Sequence, residues 1–176
     1  YRFMQGQYIT LKLNVNGEEL RRCYSVCTSP GENELRVAAK RVSGGRVSTW
    51  LNEKLKVGDE IEVMPPMGNF HTPIDVSNKK TYVLFAGGSG VTPILSILKT
   101  VLEQEPDSNV VLFYGNLNES AIIFRSQLDN LINKYNDRLN VYHILDQPEG
   151  ECDSDFQGVL SSEKTIELVE KYVDTS

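Results

Sequence analysis

The chain has 176 residues, 40% of them hydrophobic, and a formal net charge of −6 at pH 7. This length and composition predict one or two packed domains and exclude a disordered chain. No apolar run reaches the length of a membrane-spanning helix and no signal peptide opens the sequence, so we expect no membrane segment. Because residues 1–8 already read as the middle of a β-region, we expect further sequence before Tyr1.

The charge is divided unevenly between the two halves of the chain. Residues 1–80 carry 12 Lys and Arg against 9 Asp and Glu, whereas residues 81–176 carry 6 against 15. An acidic half and no basic stripe predict that the protein does not bind nucleic acid. The basic half suits an anionic cofactor or an acidic partner protein, although two solvated faces of opposite sign explain the division equally well.

The cysteine count indicates a reducing compartment. Cys23, Cys27 and Cys152 make an odd number without a secretory signal, which argues against a disulfide framework and predicts a cytoplasmic protein. Cys23 and Cys27 could begin a metal site, but we interpret them as buried thiols, because no second cysteine pair follows. His71 and His143 have no metal-like spacing and are predicted to be structural.

Short β-like runs separated by turns occupy the first half. Alternation of apolar and polar residues predicts a strand over residues 8–15, and Asn16-Gly17 after it is a strong hairpin signal. Further strands are predicted over residues 35–42 and 60–64, with one short helix over residues 48–55. Several short strands with turn signals are typical of an antiparallel barrel.

Strands and helices alternate in the second half. Buried strands are predicted over residues 81–86, 110–114 and 139–145. Helices are predicted over residues 93–102, 120–135 and 161–173. The second helix has an expected inward stripe of Ile123, Leu128, Leu131 and Ile132. The alternation predicts a parallel sheet with helical crossovers, and the polar stretch 71–80 separates two domains of residues 1–75 and 76–176.

A glycine-rich turn joins the first strand of the second half to its helix. Residues 87–93 read Gly-Gly-Ser-Gly-Val-Thr-Pro; such a turn approaches a ligand closely, and a helix N-terminus offers free N–H groups to a phosphate. The turn is not a P-loop, because no Lys-Ser/Thr pair follows, and Pro93 stands where a dinucleotide fingerprint has its third glycine. By itself, the turn is also compatible with a tight connection that binds nothing.

Two segments of the first half combine cations, hydroxyls and an aromatic ring. In Arg22-Cys23-Tyr24-Ser25, strand alternation places Arg22 and Tyr24 on one face, where a guanidinium binds phosphate and a phenol ring stacks on a flat heterocycle. Residues 44–49 place glycines, a cation and hydroxyls at a helix start, as an anion site requires. A hairpin turn with Ser48 as N-cap is the alternative interpretation.

Together, the three motifs resemble the ferredoxin–NADP reductase superfamily, in its branch of oxygenase reductases such as those of phenylacetyl-CoA epoxidase and the benzoate-type dioxygenases. The similar stretches cover nearly the whole chain and are residues 5–8, 22–25, 45–48, 66–70, 86–94, 114–116 and 122–125. The resemblance implies an antiparallel Greek-key flavin-binding barrel followed by a Rossmann-like parallel α/β domain. It also implies FAD as the flavin and NADH or NADPH as the hydride donor.

The resemblance assigns the flavin to the first half. Arg22 would hold a flavin phosphate, Tyr24 would stack on the isoalloxazine and Ser25 would donate a hydrogen bond near flavin N5, with Cys23 between them. The contacts implied along the flavin edge are Ala39, Lys40 and Arg41. Those implied at the pyrophosphate are Gly45, Arg46, Val47, Ser48 and Thr49.

The nucleotide is assigned to the second half in the same way. The glycine-rich turn would hold it through Gly88, Ser89, Gly90, Val91, Thr92 and Pro93. Thr92 would lie nearest the nicotinamide, so the resemblance places Tyr24, Ser25 and Thr92 around the reacting atoms. The adenosine ribose would lie beside Tyr114, Gly115 and Asn116.

The chain also departs from the family pattern. The family's barrel has strands before residues 5–8, and its nucleotide domain ends on a strand with Cys-Gly-Pro; neither is in this sequence, so we expect a piece cut short at both ends. Three scattered cysteines do not supply the four ligands of the family's iron–sulfur module, so the resemblance allows a 2Fe-2S cluster only outside this segment. Leu117 stands where relatives often carry Arg, which weakens the case for a 2′-phosphate contact.

We therefore expect a reductase that takes hydride from NADH or NADPH onto FAD and passes electrons to an iron–sulfur centre or an oxygenase component, as in phenylacetate degradation. The uncharged Leu117 and the acidic second half favour NADH, and Arg125 is the cation that would oppose this preference. A flavohaemoglobin-type or free flavin reductase is the alternative within the enzyme class. A non-catalytic nucleotide-binding module is the alternative outside it.

Overall fold

A β-hairpin forms the first part of the fold. In the computed structural model, which describes residues 1–173, β1 spans Tyr8–Val15 and β2 spans Glu18–Ser25. Alternate residues of β1 enter a first core, namely Ile9, Leu11, Leu13 and Val15. Asn16 and Gly17 both adopt positive φ between the strands, as a two-residue hairpin turn requires. The predicted strand and hairpin are therefore confirmed.

Two further elements pack on this hairpin. β3 is the short strand Glu62–Val63, which pairs with β1 and gives the antiparallel order β2-β1-β3. α1, Arg46–Glu53, buries Val47 in the first core. α1 begins two residues earlier than predicted, and β3 is shorter than the predicted strand over residues 60–64.

The strand predicted over residues 35–42 is wrong. Only Val37 makes a β-bridge there, to Val26, and the rest of the stretch has no strand structure. The Ala39 carbonyl accepts a hydrogen bond from the side-chain amide of Asn52 instead of from a neighbouring strand. Apolar alternation favours a pleated segment, but a strand also needs a parallel or antiparallel backbone beside it.

A parallel sheet with helical crossovers forms the second half, as predicted. Its strands are β4 (Thr81–Gly87), β5 (Asn109–Asn116) and β6 (Leu139–Leu145), in the order β4-β5-β6. The helices are α2 (Val91–Gln104), α3 (Arg125–Lys134) and α4 (Ser162–Tyr172). α3 begins later than predicted, because Phe124 adopts a left-handed backbone conformation that interrupts the helix before Arg125.

Both faces of the parallel sheet are covered. Alternate residues of β5 enter two different cores, Val110 and Leu112 on the side of α2 and α3, and Val111 and Phe113 on the side of α4. This two-sided burial explains why β5 is almost continuously apolar. The four residues of the predicted inward stripe all reach this core: Leu128 is fully buried, Leu131 and Ile132 of α3 pack against it, and so does Ile123, which lies before the helix.

Helix α2 contacts both halves of the fold. Cys27 of the first half belongs to the same core as α2. Gly6 lies against the helix with a positive φ of 81°, and a Cβ there would collide with the Phe70 carbonyl oxygen and approach Ile97 Cδ1 to 3.1 Å. Glycine is therefore required at this close approach. The packing sets the start of α2 beside the end of β2.

The buried carboxylate of Glu105 binds the polar segment that joins the two halves. Glu105, at the end of α2, is fully buried and accepts hydrogen bonds from Asn78 Nδ2, Ser108 Oγ, Tyr82 OH and the Asp75 N–H at 2.7–3.1 Å. Burial raises the pKa of the Glu105 carboxyl, but these hydrogen bonds outweigh it and hold the pKa below the ordinary value. The Glu105 carboxyl is therefore ionised in the folded protein at neutral pH.

The cysteines differ in exposure. All three are free thiols; Cys27 is buried and Cys152 partly so, but Cys23 is exposed, contrary to the prediction. Cys23 lies opposite Thr10 on the outer face of the hairpin, one residue out of phase with the core positions. Within residues 1–173, no helix is long and apolar enough to cross a membrane, and no cluster of three or more His, Cys, Asp or Glu suits a metal ion.

Candidate functional site: two adjoining cavities

Two cavities of similar size adjoin each other between the halves. The inter-sheet cavity, about 590 Å³, is lined by the end of β2, the segment 38–48 and the turn before α2. The sheet-edge cavity, about 560 Å³, lies at the carboxyl ends of the parallel strands. Lys40 lines both cavities. Open α/β sheets bind ligands at this edge, so its position makes the sheet-edge cavity a candidate binding site.

Strand β2 supplies one wall of the inter-sheet cavity through Arg22, Cys23, Tyr24 and Ser25. Arg22 lies opposite Leu11 and Tyr24 opposite Ile9 in the strand register, so both side chains lie on the face of the first core. Burial raises the pKa of the Tyr24 phenol, an effect that the charge of Arg22 reduces. At neutral pH this wall presents a neutral aromatic ring beside an exposed cation.

The start of α1 supplies a second wall. Gly45 precedes the helix and has no side chain to cap it, so the first N–H groups of α1 are left without a side-chain partner. Ser48 Oγ accepts from the Val42 N–H at 3.1 Å and donates to the Gly45 carbonyl at 3.2 Å, which closes the turn. A Cβ on Gly45 would lie 2.5 Å from Ser48 Oγ, so a larger residue here would displace the hydroxyl that closes the turn. Arg46 faces the cavity while paired with Glu18 at 2.8 Å.

The glycine-rich turn separates the two cavities. Gly88–Gly90 forms one 3₁₀ turn, with Gly88 at a φ of 48°, and leads directly into α2. Thr92 Oγ1 donates to the Ser89 carbonyl at 3.0 Å, and the Tyr114 hydroxyl donates to the Gly88 carbonyl at 2.9 Å. These two bonds fix the turn from both sides. No atom lies within 4 Å of where a Cβ would stand on Gly88 or Gly90, which leaves their backbone open to a ligand.

The floor of the sheet-edge cavity contains an amide without a partner. The side-chain nitrogen and oxygen of Asn116 are both buried and make no hydrogen bond within the described structure. Buried polar groups without a partner are uncommon and cost free energy. Asn116 ends β5 and is one of the residues that line the cavity, although its amide atoms are covered in this structure.

Most of the residues expected from the sequence lie around these cavities. Those lining the inter-sheet cavity are Arg22, Cys23, Tyr24, Ser25, Lys40, Gly45, Arg46, Val47, Ser48, Ser89, Gly90, Thr92 and Pro93. Those lining the sheet-edge cavity are Lys40, Gly88, Gly115 and Asn116. The fold thus brings segments that are about 65 residues apart in sequence, such as residues 22–25 and 88–93, into one place.

Five expected residues line neither cavity. Val91 and Tyr114 are fully buried, so their side chains shape the turn and the core. Arg41 is paired with Glu53 at 2.8 Å, and Ala39 offers its carbonyl to Asn52. Thr49 lies in a smaller neighbouring cavity of about 330 Å³. Whether a side chain faces a cavity depends on its position around a helix or along a strand. A sequence motif alone does not give that position.

Several lining residues were missed by the sequence reasoning. In the inter-sheet cavity they are Ala38 and Val42. In the sheet-edge cavity they are Phe85, Ala86, Ala121, Asp146, Gly158, Val159 and Leu160. Asp146 directly follows β6, and the rule that carboxyl ends of parallel strands meet at one edge would have found it. Residues 158–160 lie far beyond β6 in sequence, and no local signal marks them.

The residues present fit a flavin and a nicotinamide nucleotide. The inter-sheet cavity combines an exposed guanidinium, an aromatic wall and an uncapped helix start, as a flat heterocycle with phosphates requires. The sheet-edge cavity combines an open glycine turn with the unpartnered Asn116 amide. No side chain caps the start of α2 either, so its N–H groups and dipole are available to phosphate.

Comparison with known proteins gives two family matches along the chain. Residues 1–72 match the oxidoreductase FAD-binding domain, and residues 84–170 match the oxidoreductase NAD-binding domain. A cytochrome P450 reductase from Amycolatopsis has a similar structure, with a TM-score of 0.80 and 27% identity over 96% of this chain and 50% of that one. The chain belongs to the ferredoxin–NADP reductase superfamily. Its FAD-binding and NAD-binding halves, and the fold class expected for them, are thereby confirmed.

The curated relatives of this superfamily member include components of oxygenase systems. The 1,2-phenylacetyl-CoA epoxidase of Escherichia coli has one component that is 42% identical over 96% of this chain and 47% of the relative. The ferredoxin reductase component of 3-ketosteroid-9-alpha-monooxygenase from Mycobacterium tuberculosis is 38% identical over 98% and 46%. A flavohemoprotein from Pseudomonas putida is 35% identical over 92% and 40%. The chain spans a little under half the length of these relatives.

Proposed function

We propose that the chain is the FAD- and nucleotide-binding part of a reductase that takes hydride from NADH or NADPH and delivers electrons to an iron–sulfur centre or an oxygenase component. The observation that carries the proposal is the shared turn: Gly88 lines one cavity, and Ser89 and Gly90 line the other. A molecule held in the sheet-edge cavity therefore reaches the inter-sheet cavity around a single turn. When bound, FAD supplies the conversion between two-electron and one-electron transfer.

In this proposal, the first half binds and orients the flavin. Arg22 binds a phosphate group through its exposed guanidinium, and the Tyr24 ring packs on the flavin. Ser25 donates a hydrogen bond to the ring system. Arg46 is shared between Glu18 and the cavity, so a flavin phosphate competes with that carboxylate for the guanidinium. The uncapped N–H groups of α1 offer further donors to the pyrophosphate.

The second half binds the nucleotide. The open turn at Gly88–Gly90 and the start of α2 hold its phosphates, and Asn116 lines the same cavity at the end of β5. Lys40 lines both cavities and carries an exposed ammonium group that attracts phosphate from either side. Thr92 keeps the turn in place through its bond to the Ser89 carbonyl. These groups position the two molecules and exclude water between them.

We further propose that NADH is the preferred donor. Asp146 and the uncharged Leu117 line the sheet-edge cavity, whereas Arg125 is exposed at the start of α3 and lines neither cavity. A carboxylate beside the adenosine end of the site repels the 2′-phosphate of NADPH and accepts hydrogen bonds from the free ribose hydroxyls of NADH. The acidic character of the second half acts in the same direction.

The partner is proposed from the relatives. One is named as part of an epoxidase and another as the reductase component of a monooxygenase, so we propose an oxygenase component as the acceptor, with phenylacetyl-CoA epoxidation as the leading case. The acceptor cluster, a 2Fe-2S centre, would lie outside residues 1–173. Three free thiols favour a reducing cytoplasm as the place of action.

A haem partner is the second candidate, because a flavohemoprotein is among the similar proteins. The two candidates differ in the acceptor and share the same flavin chemistry. Purified full-length protein with an iron–sulfur electron paramagnetic resonance signal on reduction supports the oxygenase-reductase assignment. A haem absorbance band instead of that signal supports the second candidate.

Flavin binding and turnover together test the proposal. The full-length protein should retain FAD through gel filtration, prefer it to FMN in a fluorescence titration, and reduce ferricyanide with NADH. A protein that binds neither flavin nor nucleotide at millimolar concentration would contradict the proposal and leave a non-catalytic module as the better description. Lack of ferricyanide reduction by a flavin-loaded protein would contradict only the catalytic part.

A further inference from the structure

Helix α2 carries a row of polar side chains toward the first half of the protein. Ser96, Lys99 and Glu103 are spaced by three and four residues and therefore lie on one face of the helix. Ser96 is fully buried and Lys99 is 4% exposed. Polar groups in a packed interface are costly unless each of them finds a partner.

Each side chain in this row bonds to the segment that follows β2. Ser96 Oγ donates to the Thr28 carbonyl at 2.6 Å. Lys99 Nζ donates to Glu32 Oε1 at 2.7 Å and to the Cys27 carbonyl at 3.4 Å. Ser29 Oγ donates to Glu103 Oε2 at 2.7 Å. We call Ser96, Lys99, Glu103 and the segment 27–32 the α2 clamp.

The clamp joins α2 to segment 27–32 through hydrogen bonds and an ion pair, which have fixed directions. Apolar side chains would also hold the two segments together, but without fixing their direction. Burial raises the pKa of the Glu32 carboxyl, but the bonds from Lys99 and from the Ser29 N–H outweigh it and keep the carboxylate ionised. A buried ion pair adds little net stability compared with apolar residues of the same volume. Its directed geometry, however, allows only one relative placement of the two segments. The clamp is thus better suited to fixing a position than to holding the halves together.

The two ends that the clamp fixes belong to the two binding walls. Ser96 lies one helical turn after Thr92, which lines the inter-sheet cavity. Thr28 lies three residues after Ser25, which lines the same cavity from the opposite side. Gly6 strengthens the connection, because its N–H donates to Ser96 Oγ at 3.4 Å. The shortest hydrogen bond between the two walls is the one from Ser96 to Thr28, and the longer bond from Lys99 to the Cys27 carbonyl runs beside it.

We infer that Ser96 and Lys99 are positioning residues, which set the distance between the flavin wall at Ser25 and the nucleotide wall at Thr92. The inference rests on the proposed function, since it assigns the clamp a role in hydride transfer. Transfer between two bound molecules is steeply sensitive to their separation, and a misplacement of about 1 Å costs on the order of a hundredfold in rate. Neither residue lines either cavity, so neither touches the reacting molecules directly.

Single-turnover reduction of the flavin in the full-length holoenzyme tests the inference. The variants are Ser96→Ala and Lys99→Met, mixed anaerobically with saturating NADH. The matched control is Thr100→Val, because the Thr100 hydroxyl is equally buried on α2 but donates to the Ser96 carbonyl within the helix. We expect the rate to fall about tenfold in Ser96→Ala and Lys99→Met, and to stay near the parent value in Thr100→Val.

A positioning role is separated from a merely structural one by binding measurements. The flavin content and the NADH dissociation constant of Ser96→Ala should stay within about twofold of the parent, because the clamp lies outside both cavities. Parent-like rates in Ser96→Ala would overturn the inference. So would a loss of flavin or NADH affinity that accounts for the whole loss of rate. If Lys99→Met does not fold, Ser96→Ala decides, since it removes only a hydroxyl.

Hydrogen exchange on the flavin-free protein gives a readout that does not depend on activity. Amides of residues 27–32 should exchange faster in Ser96→Ala than in Thr100→Val, while those of β5 remain equally protected in both. Equal exchange of residues 27–32 in the two variants would overturn the clamp itself. If the parent transfers no hydride from either nucleotide, the proposed function fails, and the exchange result still decides whether the clamp fixes the two segments.

Discussion

At the scale of single residues, adjacent arginines on β2 have different surroundings. Arg21 is paired with Glu19 at 2.9 Å on the outer face of the hairpin, whereas Arg22 lines the inter-sheet cavity. The two therefore offer a matched pair in which charge and strand position are nearly equal and the cavity differs. Only Arg22 is available to a bound phosphate.

Arg22→Ala should weaken flavin retention with little effect on folding. The loss of one charge-assisted hydrogen bond to phosphate costs about 1.5–3 kcal/mol of binding free energy. FAD content after gel filtration, measured by absorbance, should therefore fall sharply, while Arg21→Ala keeps the parent content. Equal FAD content in the parent and in Arg22→Ala would refute the role proposed for this side chain.

Asp146 is the residue on which the proposed NADH preference depends. Asp146→Asn removes the negative charge from the sheet-edge cavity and keeps the size of the side chain. The ratio of kcat/KM for NADPH to that for NADH should rise about tenfold, which corresponds to ~1.4 kcal/mol. Steady-state kinetics at low and moderate salt measure the ratio.

Two control variants test whether the effect on the NADPH-to-NADH ratio is specific to Asp146. Glu149→Gln removes an exposed carboxylate that lines neither cavity and should leave the ratio unchanged. Arg125→Ala should leave it unchanged as well. A parent enzyme that prefers NADPH, with that preference abolished in Arg125→Ala, would transfer the specificity role from Asp146 to Arg125.

Much of the cavity wall could be predicted from the three motifs taken together, because each motif alone also suits a structural turn whereas their order and spacing resemble one family. Tyr114 shows where this reasoning stops. Its ring is fully buried and its hydroxyl donates to the Gly88 carbonyl, so it supports the turn from the core and lines neither cavity. Whether a side chain points into a cavity or a core is set by packing from distant segments.

At the scale of elements, the Glu105 network makes a stability prediction. Its carboxyl pKa is lowered in the folded protein, so this stabilisation is fully present above the pKa of the unfolded chain and is lost as the pH falls through the lower, folded value. Glu105→Gln should therefore reduce the free energy of unfolding at pH 7 by about 1.5–3 kcal/mol and flatten its dependence on pH in the acid range.

Chemical denaturation at a series of pH values between neutral and acid measures this effect. Glu167→Gln on the exposed side of α4 is the control and should keep the parent pH dependence. An unfolding free energy of Glu105→Gln that runs parallel to the parent curve at all pH values would contradict the account, because the ionised carboxylate would then contribute nothing specific.

Elements with a strong hydrophobic periodicity could be predicted from the sequence. Elements that depend on a neighbouring strand or on an unusual backbone conformation could not. β1 and β6 begin and end where alternation and apolar character predict, because both effects are local. The stretch 35–42 has the same alternation but forms only the bridge at Val37, since its remaining backbone has no neighbouring strand. The start of α3 was misplaced because the left-handed Phe124 has no sequence signal.

At the scale of the whole molecule, α2 is a helix of the second half that also contacts the first half along its length. Its first turn lines the inter-sheet cavity, its middle carries the α2 clamp, and its end leads into Glu105, which anchors the segment between the halves. A single helix therefore relates the proposed flavin wall to the proposed nucleotide wall. The sequence predicted both halves and their order, but the contacts between them join residues that are far apart and carry no joint signal.

Anaerobic reduction of the FAD-loaded, full-length protein by NADH tests the central claim most directly. One equivalent of NADH should bleach the visible absorbance of the bound flavin, because the shared turn at Gly88–Gly90 brings the two binding cavities together. Bleaching by dithionite but not by either nicotinamide nucleotide, in a protein that demonstrably binds both molecules, would contradict the claim that the adjoining cavities serve hydride transfer.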